Sequence, residues 1–287
     1  MNRLAALTPK KLQVWSERAK QQAKTGRLPD YIPLLQEADP TWFSLSIITV
    51  EHQMVVIGDR DRTFPLMSVI KPFLLFYLLS HLGTEAVFKH VGRKPSPYPF
   101  NSLTQLQADG GFPRNPMINS GAITLASLLP AKDTLSRCEN LCLWLNNHAN
   151  CQLFLDEAML ASVQSIPNLR NQALAKELTS QGYLKDAAMA LETYEYICCL
   201  TGTIIDLARL GLLLVECPSS LLIEHSQLVQ ELMITCGLYE ASKTFIGQVR
   251  LPSKSGVSGA ILSIVPNQGA IAIYSPPLDS QGNSVAG

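Results

Sequence analysis

Hydrophobic and polar positions alternate in two regions, one near each end of the chain. Residues 42–59 (WFSLSIITVEHQMVVIGD) carry β-branched residues on both sides of a break near Glu51 and His52, which predicts a β-hairpin. Residues 259–277 (GAILSIVPNQGAIAIYSPP) predict a second hairpin, which turns through 266–269. Together the two hairpins predict one antiparallel sheet assembled from both terminal regions.

Helical periodicity dominates the chain between these hairpins, with Pro/Gly/Asn-rich loops at 92–102 and 109–121. A further helix is predicted near the start, with Thr8 as N-cap, Pro9 at its first position and Gly26 as its stop. The predicted fold class is α+β. We expect a single domain over 1–287, with a sheet lobe at about 28–67 and 241–287 and a helical lobe at about 68–240.

Composition narrows the possible functions. Among 287 residues, 23 Lys and Arg balance 23 Asp and Glu, which argues against nucleic acid or an anionic membrane as a partner. The apolar content of 47% and charged content of 16% are typical of a well-buried globular enzyme. The longest apolar stretch, at 72–79, is too short to span a bilayer, and the first residues lack a secretory signal. We therefore expect a cytoplasmic protein.

Cysteine and histidine patterns give no sign of a disulfide framework or a metal site. The seven cysteines have no framework spacing, and the five histidines form no HExxH motif and pair with no CxxC motif. We expect reduced, mostly buried cysteines and no metal.

A serine stands three residues before a lysine where the apolar run 64–79 (FPLMSVIKPFLLFYLL) begins. Because Pro72 is tolerated only in a first turn, the helix should begin at about Ser68. The Ser68 hydroxyl would then lie beside free backbone N–H groups, and the positive helix end would favour a neutral Lys71. This pair fits a nucleophile with its base, but taken alone the spacing fits the start of a buried helix better.

A second motif, Lys254-Ser255-Gly256, lies at the mouth of a predicted strand. S-x-x-K at the start of a helix, followed much later by K-[ST]-G on a strand, is the order seen in serine β-lactamases and penicillin-binding proteins. No S-D-N triplet lies between the two motifs. The pattern thus supports a similar fold but not β-lactam chemistry.

Several longer segments resemble the serine-dependent bacterial-type glutaminases, over about 28–287. The segments are GDRDRTFPLMSVIKPF, FNSLTQLQADGGFPRNPMINSGAI, RNQALAKEL, DLARLGLLL, MITCGLYEAS, LPSKSGVSGAILSIVP and SPPLDSQGNSV. The resemblance implies a β-lactamase-like fold and hydrolysis of L-glutamine to L-glutamate and ammonia through an acyl-enzyme. It also implies that no cofactor is needed and that the protein is a homodimer or homotetramer.

The resemblance also implies roles for individual residues. Ser68 matches the nucleophile, Lys71 its base and Tyr194 a tyrosine that relays or donates a proton; Lys254 completes the predicted catalytic set. Val257 matches the residue whose backbone N–H forms the oxyanion hole with that of Ser68. The predicted substrate-binding side chains are those of Tyr31, Asn119, Asn171 and Tyr239, although a buried tyrosine or asparagine is often only a satisfied core residue.

The chain departs from the family pattern at positions that would contact substrate. Met67 stands where glutamine precedes the nucleophile, and Gln164 stands where a glutamate would bind the substrate ammonium. Hydrogen bonds to charged groups are strong enough that losing this ion pair puts about tenfold to a hundredfold of substrate binding at risk. Ala260 replaces a usual glycine. The chain also stops where the family continues into a final helix, so we expect either a truncated sequence or a less covered sheet face.

Three functions are therefore open from sequence. The first is a glutaminase, and the second is an amidase for a substrate without a free α-ammonium. The third is a non-catalytic paralogue that keeps the fold and binds a ligand or partner. Retention of Ser68, Lys71 and Lys254 together favours the two enzymes.

Overall fold

The main sheet of the protein is built from both ends of the chain. The computed structural model describes residues 4, 6–217 and 219–287. Five strands lie in the order β2-β1-β8-β7-β6, and every neighbouring pair is antiparallel. Their bounds are β1 Ser44–Thr49, β2 Met54–Gly58, β6 Ser253–Ser255, β7 Ala260–Val265 and β8 Gly269–Tyr274. Both predicted hairpins are confirmed, and so is the sheet that joins them.

A second, smaller sheet was not predicted from sequence. Its order is β3-β5-β4, with β3 at Thr63–Pro65, β4 at Phe154–Leu155 and β5 at Leu200–Thr203. Strands of two to four residues are too short to display an alternating pattern. The pairing of β3 with β5 fixes the chain just before Ser68, since the Leu66 N–H donates to the Leu200 carbonyl at 2.8 Å.

Helices fill most of the chain between β3 and β6. The helix bounds are α1 Pro9–Ala23, α2 Pro33–Gln36, α3 Lys71–Leu82, α4 Thr84–Phe88, α5 Leu103–Ala108, α6 Asn119–Ala126, α7 Thr134–Ala149, α8 Glu157–Ser165, α9 Leu169–Ser180, α10 Ala187–Cys198, α11 Ile204–Leu213, α12 Ser220–Cys236 and α13 Ser242–Gln248. The helical region thus extends past the predicted limit of 240. The single domain and its division into two lobes stay predictions.

Helix α1 begins as its sequence predicts. The Thr8 side chain accepts from the Lys11 N–H, and Pro9 occupies the first position. The helix ends at Ala23, before Gly26. A Cβ at Gly26 would lie 2.8 Å from the Pro277 side chain, so glycine there permits close contact between the two ends of the chain.

Helix α3 forms the centre of the hydrophobic core. Every residue from Lys71 to Leu79 is buried, which agrees with an apolar run that shows little periodicity. It contacts α6, α7 and α12, while α11 covers the sheet against β1 and β8. Within the described ranges, no helix combines the length and apolarity that crossing a membrane requires.

Candidate active site

Ser68 lies in a 3₁₀ turn that leads directly into α3. The turn covers Met67–Ile70, and α3 follows with Pro72 in its first turn. The predicted helix start is therefore correct to within one turn. Met67 has a φ of 47°, a left-handed conformation that costs a non-glycine residue about 1–2 kcal/mol. Such strain is common at sites where the surrounding structure must aim one side chain, and here it precedes Ser68.

Lys71 is fully buried at the base of this turn. Its Nζ donates to the Met117 carbonyl at 3.1 Å and to Asn119 Oδ1 at 2.7 Å. Burial lowers the pKa of Lys71 from 10.5 to about 7. None of the ion pairs among the described residues involves it. A neutral amine has two N–H bonds, so these two acceptors leave its lone pair able to take a proton.

Asn119 connects Lys71 to two further predicted site residues. Its Oδ1 also accepts from the Tyr194 hydroxyl at 3.2 Å, and its Nδ2 donates to Asn171 Oδ1 at 2.9 Å. All four side chains are buried. Burial raises the pKa of Tyr194 well above 10, and the nearby Ser68 hydroxyl partly opposes that rise. Tyr194 is thus a neutral phenol whose hydroxyl donates a hydrogen bond.

The K-S-G motif approaches Ser68 from the end of β6. A Cβ at Gly256 would lie 2.7 Å from the Leu66 carbonyl oxygen and 3.4 Å from the Ser68 nitrogen. Glycine therefore allows the two backbones to meet. Val257, the next residue, lines the same cavity as Ser68. The buried Ala260, in β7, accepts from the Gly256 N–H at 2.9 Å.

Lys254 and Tyr239 pack against each other beneath the site. Lys254 Nζ lies 4.1 Å from the centroid of the Tyr239 ring and donates to the Ser255 carbonyl at 2.6 Å. Burial, with the charge of Lys71 second, holds the pKa of Lys254 well below its usual range. The Tyr239 ring also contacts Phe100, with 4.4 Å between the centroids. Burial raises the pKa of Tyr239, and the nearby Ser68 hydroxyl partly opposes that rise.

A cavity of about 500 Å³ opens above Ser68. The predicted site residues that line it are Tyr31, Met67, Ser68, Asn119, Asn171, Tyr194 and Val257. Tyr31 stands at the rim, with 51% of its surface exposed. Lys71, Lys254 and Tyr239 are buried close by, and none of them is a lining residue.

Gln164 does not line the cavity and is exposed to solvent. Its Nε2 lies 3.4 Å from Glu195 Oε2 and donates to it. Glu195 does line the cavity, and sequence reasoning missed it. Glu195 and Cys198 are one helical turn apart on α10, on the face that also carries Tyr194. The spacing of Glu195 and Tyr194, three and four residues before Cys198, was the sequence signal that could have placed Glu195 in the cavity wall. Arg170, at the start of α9, is the lining cation that was also missed.

Comparison with known proteins gives one family across nearly the whole chain. The family model described as Glutaminase matches residues 26–287. A glutaminase from Synechocystis sp. is 48% identical over 284 residues, which cover 98% of this chain and 86% of the relative. The solved structure of the probable glutaminase ybaS matches with a TM-score of 0.89 and 34% identity, covering 98% of this chain and 94% of that one.

A further similar structure contains a covalently bound ligand. It is the covalent complex between a Bacillus subtilis glutaminase and 5-oxo-L-norleucine, formed by reaction of that protein with 6-diazo-5-oxo-L-norleucine. The match has a TM-score of 0.85 and 28% identity, and it covers 96% of this chain and 93% of that one.

Proposed function

The chain belongs to the glutaminase family, and on this premise we propose that Ser68 and Lys71 are the nucleophile and base of its reaction. The protein hydrolyses L-glutamine to L-glutamate and ammonia. The fold is the β-lactamase-like arrangement of its structural neighbours. The observation that carries the proposal is the full burial of Lys71 between two neutral acceptors, which favours an uncharged amine beside a serine in a cavity wall.

Acylation begins with transfer of the Ser68 proton to the Lys71 amine. Ser68 Oγ then bonds to the carbon of the glutamine side-chain amide, and the carbonyl electrons move to its oxygen. The backbone N–H groups of Ser68 and Val257 stabilise that oxyanion. Tyr194 donates a proton to the amide nitrogen, and Lys71 restores the phenol. The C–N bond breaks, ammonia leaves and a glutamyl ester remains on Ser68.

Deacylation repeats these steps with water as the nucleophile. Water gives a proton to Lys71 and attacks the ester carbon, and the same two N–H groups stabilise the second oxyanion. The ester bond to Ser68 Oγ breaks, the proton returns to Oγ and L-glutamate is released. No group is oxidised or reduced in these steps, and each proton taken up is given back. The proposed reaction therefore needs no redox cofactor. The diazoketone complex of the Bacillus subtilis relative supports a covalent mechanism of this kind.

The other two functions have less support. The full-length family match and the 48% identical relative favour glutamine over another amide, and they favour an enzyme over a binding paralogue. Met67 remains an apolar wall beside the nucleophile, where the family has glutamine. The expected homodimer or homotetramer and the cytoplasmic location stay predictions. Sedimentation equilibrium and cell fractionation would measure them.

Ammonia release from L-glutamine tests the proposal. We expect turnover by the wild type and its loss, by at least about a thousandfold, in Ser68→Ala. Ser16→Ala is the matched control, because Ser16 is also buried but lies in α1, away from the cavity. It should retain wild-type activity. Equal rates for Ser68→Ala and the wild type would refute the proposed nucleophile.

A further inference from the structure

The cavity wall carries a carboxylate that has no cation beside it. Glu195 is partly buried, and its hydrogen bond with Gln164 is to a neutral amide. In the part of the chain that the structure describes, no lysine, arginine or histidine forms an ion pair with it. An ionised group removed from water is normally paired. An unpaired carboxylate facing an open cavity therefore indicates a cationic ligand.

Glu195 is also distinct from every other lining residue by charge. Of the described residues that line the cavity, it is the acidic one and Arg170 the basic one, while the rest are neutral. A glutamine molecule carries an α-ammonium and an α-carboxylate besides the amide that reacts. When the amide lies at Ser68, the ammonium must leave water inside this cavity, where Glu195 is the anion available to it.

We propose that Glu195 binds the α-ammonium of L-glutamine and that Gln164 positions the Glu195 carboxylate for it. The inference rests on the proposed function, because it takes glutamine to react at Ser68. It also changes the expectation, drawn from the sequence, that Gln164 weakens substrate binding. The Glu195 carboxylate on α10 lies beside the Gln164 side chain on α8. The substrate ammonium can therefore still pair with a carboxylate, although Gln164 itself is uncharged. The predicted loss of substrate binding is then not expected.

The charges around Glu195 agree with this role. Burial raises the pKa of its carboxyl, the Gln164 hydrogen bond opposes the rise and the charge of Glu192 adds to it. The Cys198 and Cys199 thiols beside it are neutral, since burial raises the pKa of both. Arg170 lines the cavity, and no ion pair between it and Glu195 is found among the described residues. A bound ammonium would offset the cost of removing the Glu195 carboxylate from water, which the Gln164 hydrogen bond offsets only in part.

The test compares L-glutamine with glutaramate, the same side-chain amide without the α-amino group. We expect the wild type to prefer L-glutamine, and Glu195→Gln to raise KM for L-glutamine about tenfold to a hundredfold while kcat changes little. The KM for glutaramate should stay within about twofold. Glu192→Gln is the matched control. It lies one turn away on the same helix, outside the cavity lining, and glutamine can still accept from Thr134.

The result that overturns the inference is a Glu195→Gln variant that keeps the wild-type preference for L-glutamine. Binding of L-glutamine to Ser68→Ala, measured by calorimetry, separates this failure from failure of the proposed function because it needs no turnover. We expect the Kd in Ser68→Ala to rise about tenfold to a hundredfold when Glu195→Gln is added. Equal Kd values with and without Glu195→Gln would contradict the role of Glu195 whatever the nucleophile is.

The positioning role of Gln164 has its own readout. Gln164→Leu removes a hydrogen bond that favours the ionised carboxylate, so the pKa of Glu195 should rise. The pH below which KM for L-glutamine increases should then move upward, while Glu195→Gln should show no such dependence. An unchanged pH profile in Gln164→Leu would show that Gln164 does not act on Glu195.

Discussion

Lys71 Nζ lies 2.7 Å from Asn119 Oδ1, and the same oxygen accepts from Tyr194. One amide thus holds the proposed base and the proposed proton donor on neutral hydrogen bonds. A carboxylate at that point would keep Lys71 charged, whereas an amide lets burial decide its protonation. This relationship explains how an amine can act as a base near neutral pH.

The pH dependence of turnover should follow Lys71. Because its pKa is about 7 and its neutral form is the base, we expect kcat/KM to increase with pH up to about 7 and then level off. No histidine is found among the described residues that line the cavity, but protonation of Glu195 would also lower kcat/KM at acidic pH, so the Lys71 limb is the one near pH 7 that is lost with Lys71. In Lys71→Met, kcat should fall about a hundredfold to ten-thousandfold and the limb should vanish. A limb that persists in this variant would assign it to another group.

Asn119→Asp should move the same limb to higher pH. The new carboxylate would lie where Oδ1 now accepts from Lys71, and an adjacent negative charge favours the charged amine. We expect the apparent pKa to rise by about 1–3 units, by analogy with other close ion pairs, and the rate at neutral pH to fall accordingly. A pH–rate profile measures both. A lower rate with an unmoved limb would mean that Asn119 only binds substrate.

Folding stability should also depend on the protonation of Lys71. Between about pH 7 and 10.5, the unfolded chain keeps a proton on this lysine that the folded chain has lost. The free energy of unfolding therefore rises with pH across that window. Lys71→Met removes this titration, so its free energy of unfolding should rise less steeply with pH across the window. Burial also lowers the pKa of Lys254 in both proteins and gives a slope of the same sign, although the part caused by the charge of Lys71 is lost in Lys71→Met. Urea unfolding at several pH values would measure how the free energy of unfolding changes with pH in both proteins. Identical slopes would contradict the predicted contribution of Lys71.

Gly256→Ala should impair catalysis more than binding. The added Cβ would meet the Leu66 carbonyl and approach the Ser68 nitrogen, so the K-S-G strand must move away from the nucleophile. We expect kcat to fall about tenfold to a hundredfold, less than complete loss of an oxyanion donor, with KM changed little. Gly247→Ala is the matched control, since a Cβ there meets nothing within 4 Å. If both variants retain wild-type kcat, the close approach is not needed.

The main sheet could be predicted because its long strands have regular patterns. β1, β7 and β8 have six residues each, enough for β-branched residues and turn signals to be recognised. β4 has only two residues, and its pairing with β5 joins segments about 45 residues apart, so local patterns contain no trace of it. The predicted helical region ended too early, at 240, because α13 has only seven residues. A helix of about two turns is too short to show a clear helical periodicity.

Some residues of the site could likewise be predicted from the sequence, and others could not. Ser68, Lys71 and Lys254 belong to motifs with fixed spacing, and the structure places them within one region around the cavity. Glu195 belongs to no motif, and its contact with Gln164 spans 31 positions of sequence between two helices. Reading Gln164 alone therefore suggested a lost charge. Only the packing of α8 against α10 brings the two side chains together.

Mass spectrometry after reaction with 6-diazo-5-oxo-L-norleucine would identify the nucleophile, since that reagent forms a covalent complex with the Bacillus subtilis relative. If Ser68 is the nucleophile, we expect one adduct per chain on the peptide that contains Ser68, absent from Ser68→Ala and slower to form in Lys71→Met. A saturating reagent that leaves Ser68 unmodified, or modifies another residue while Ser68 stays intact, would contradict this assignment.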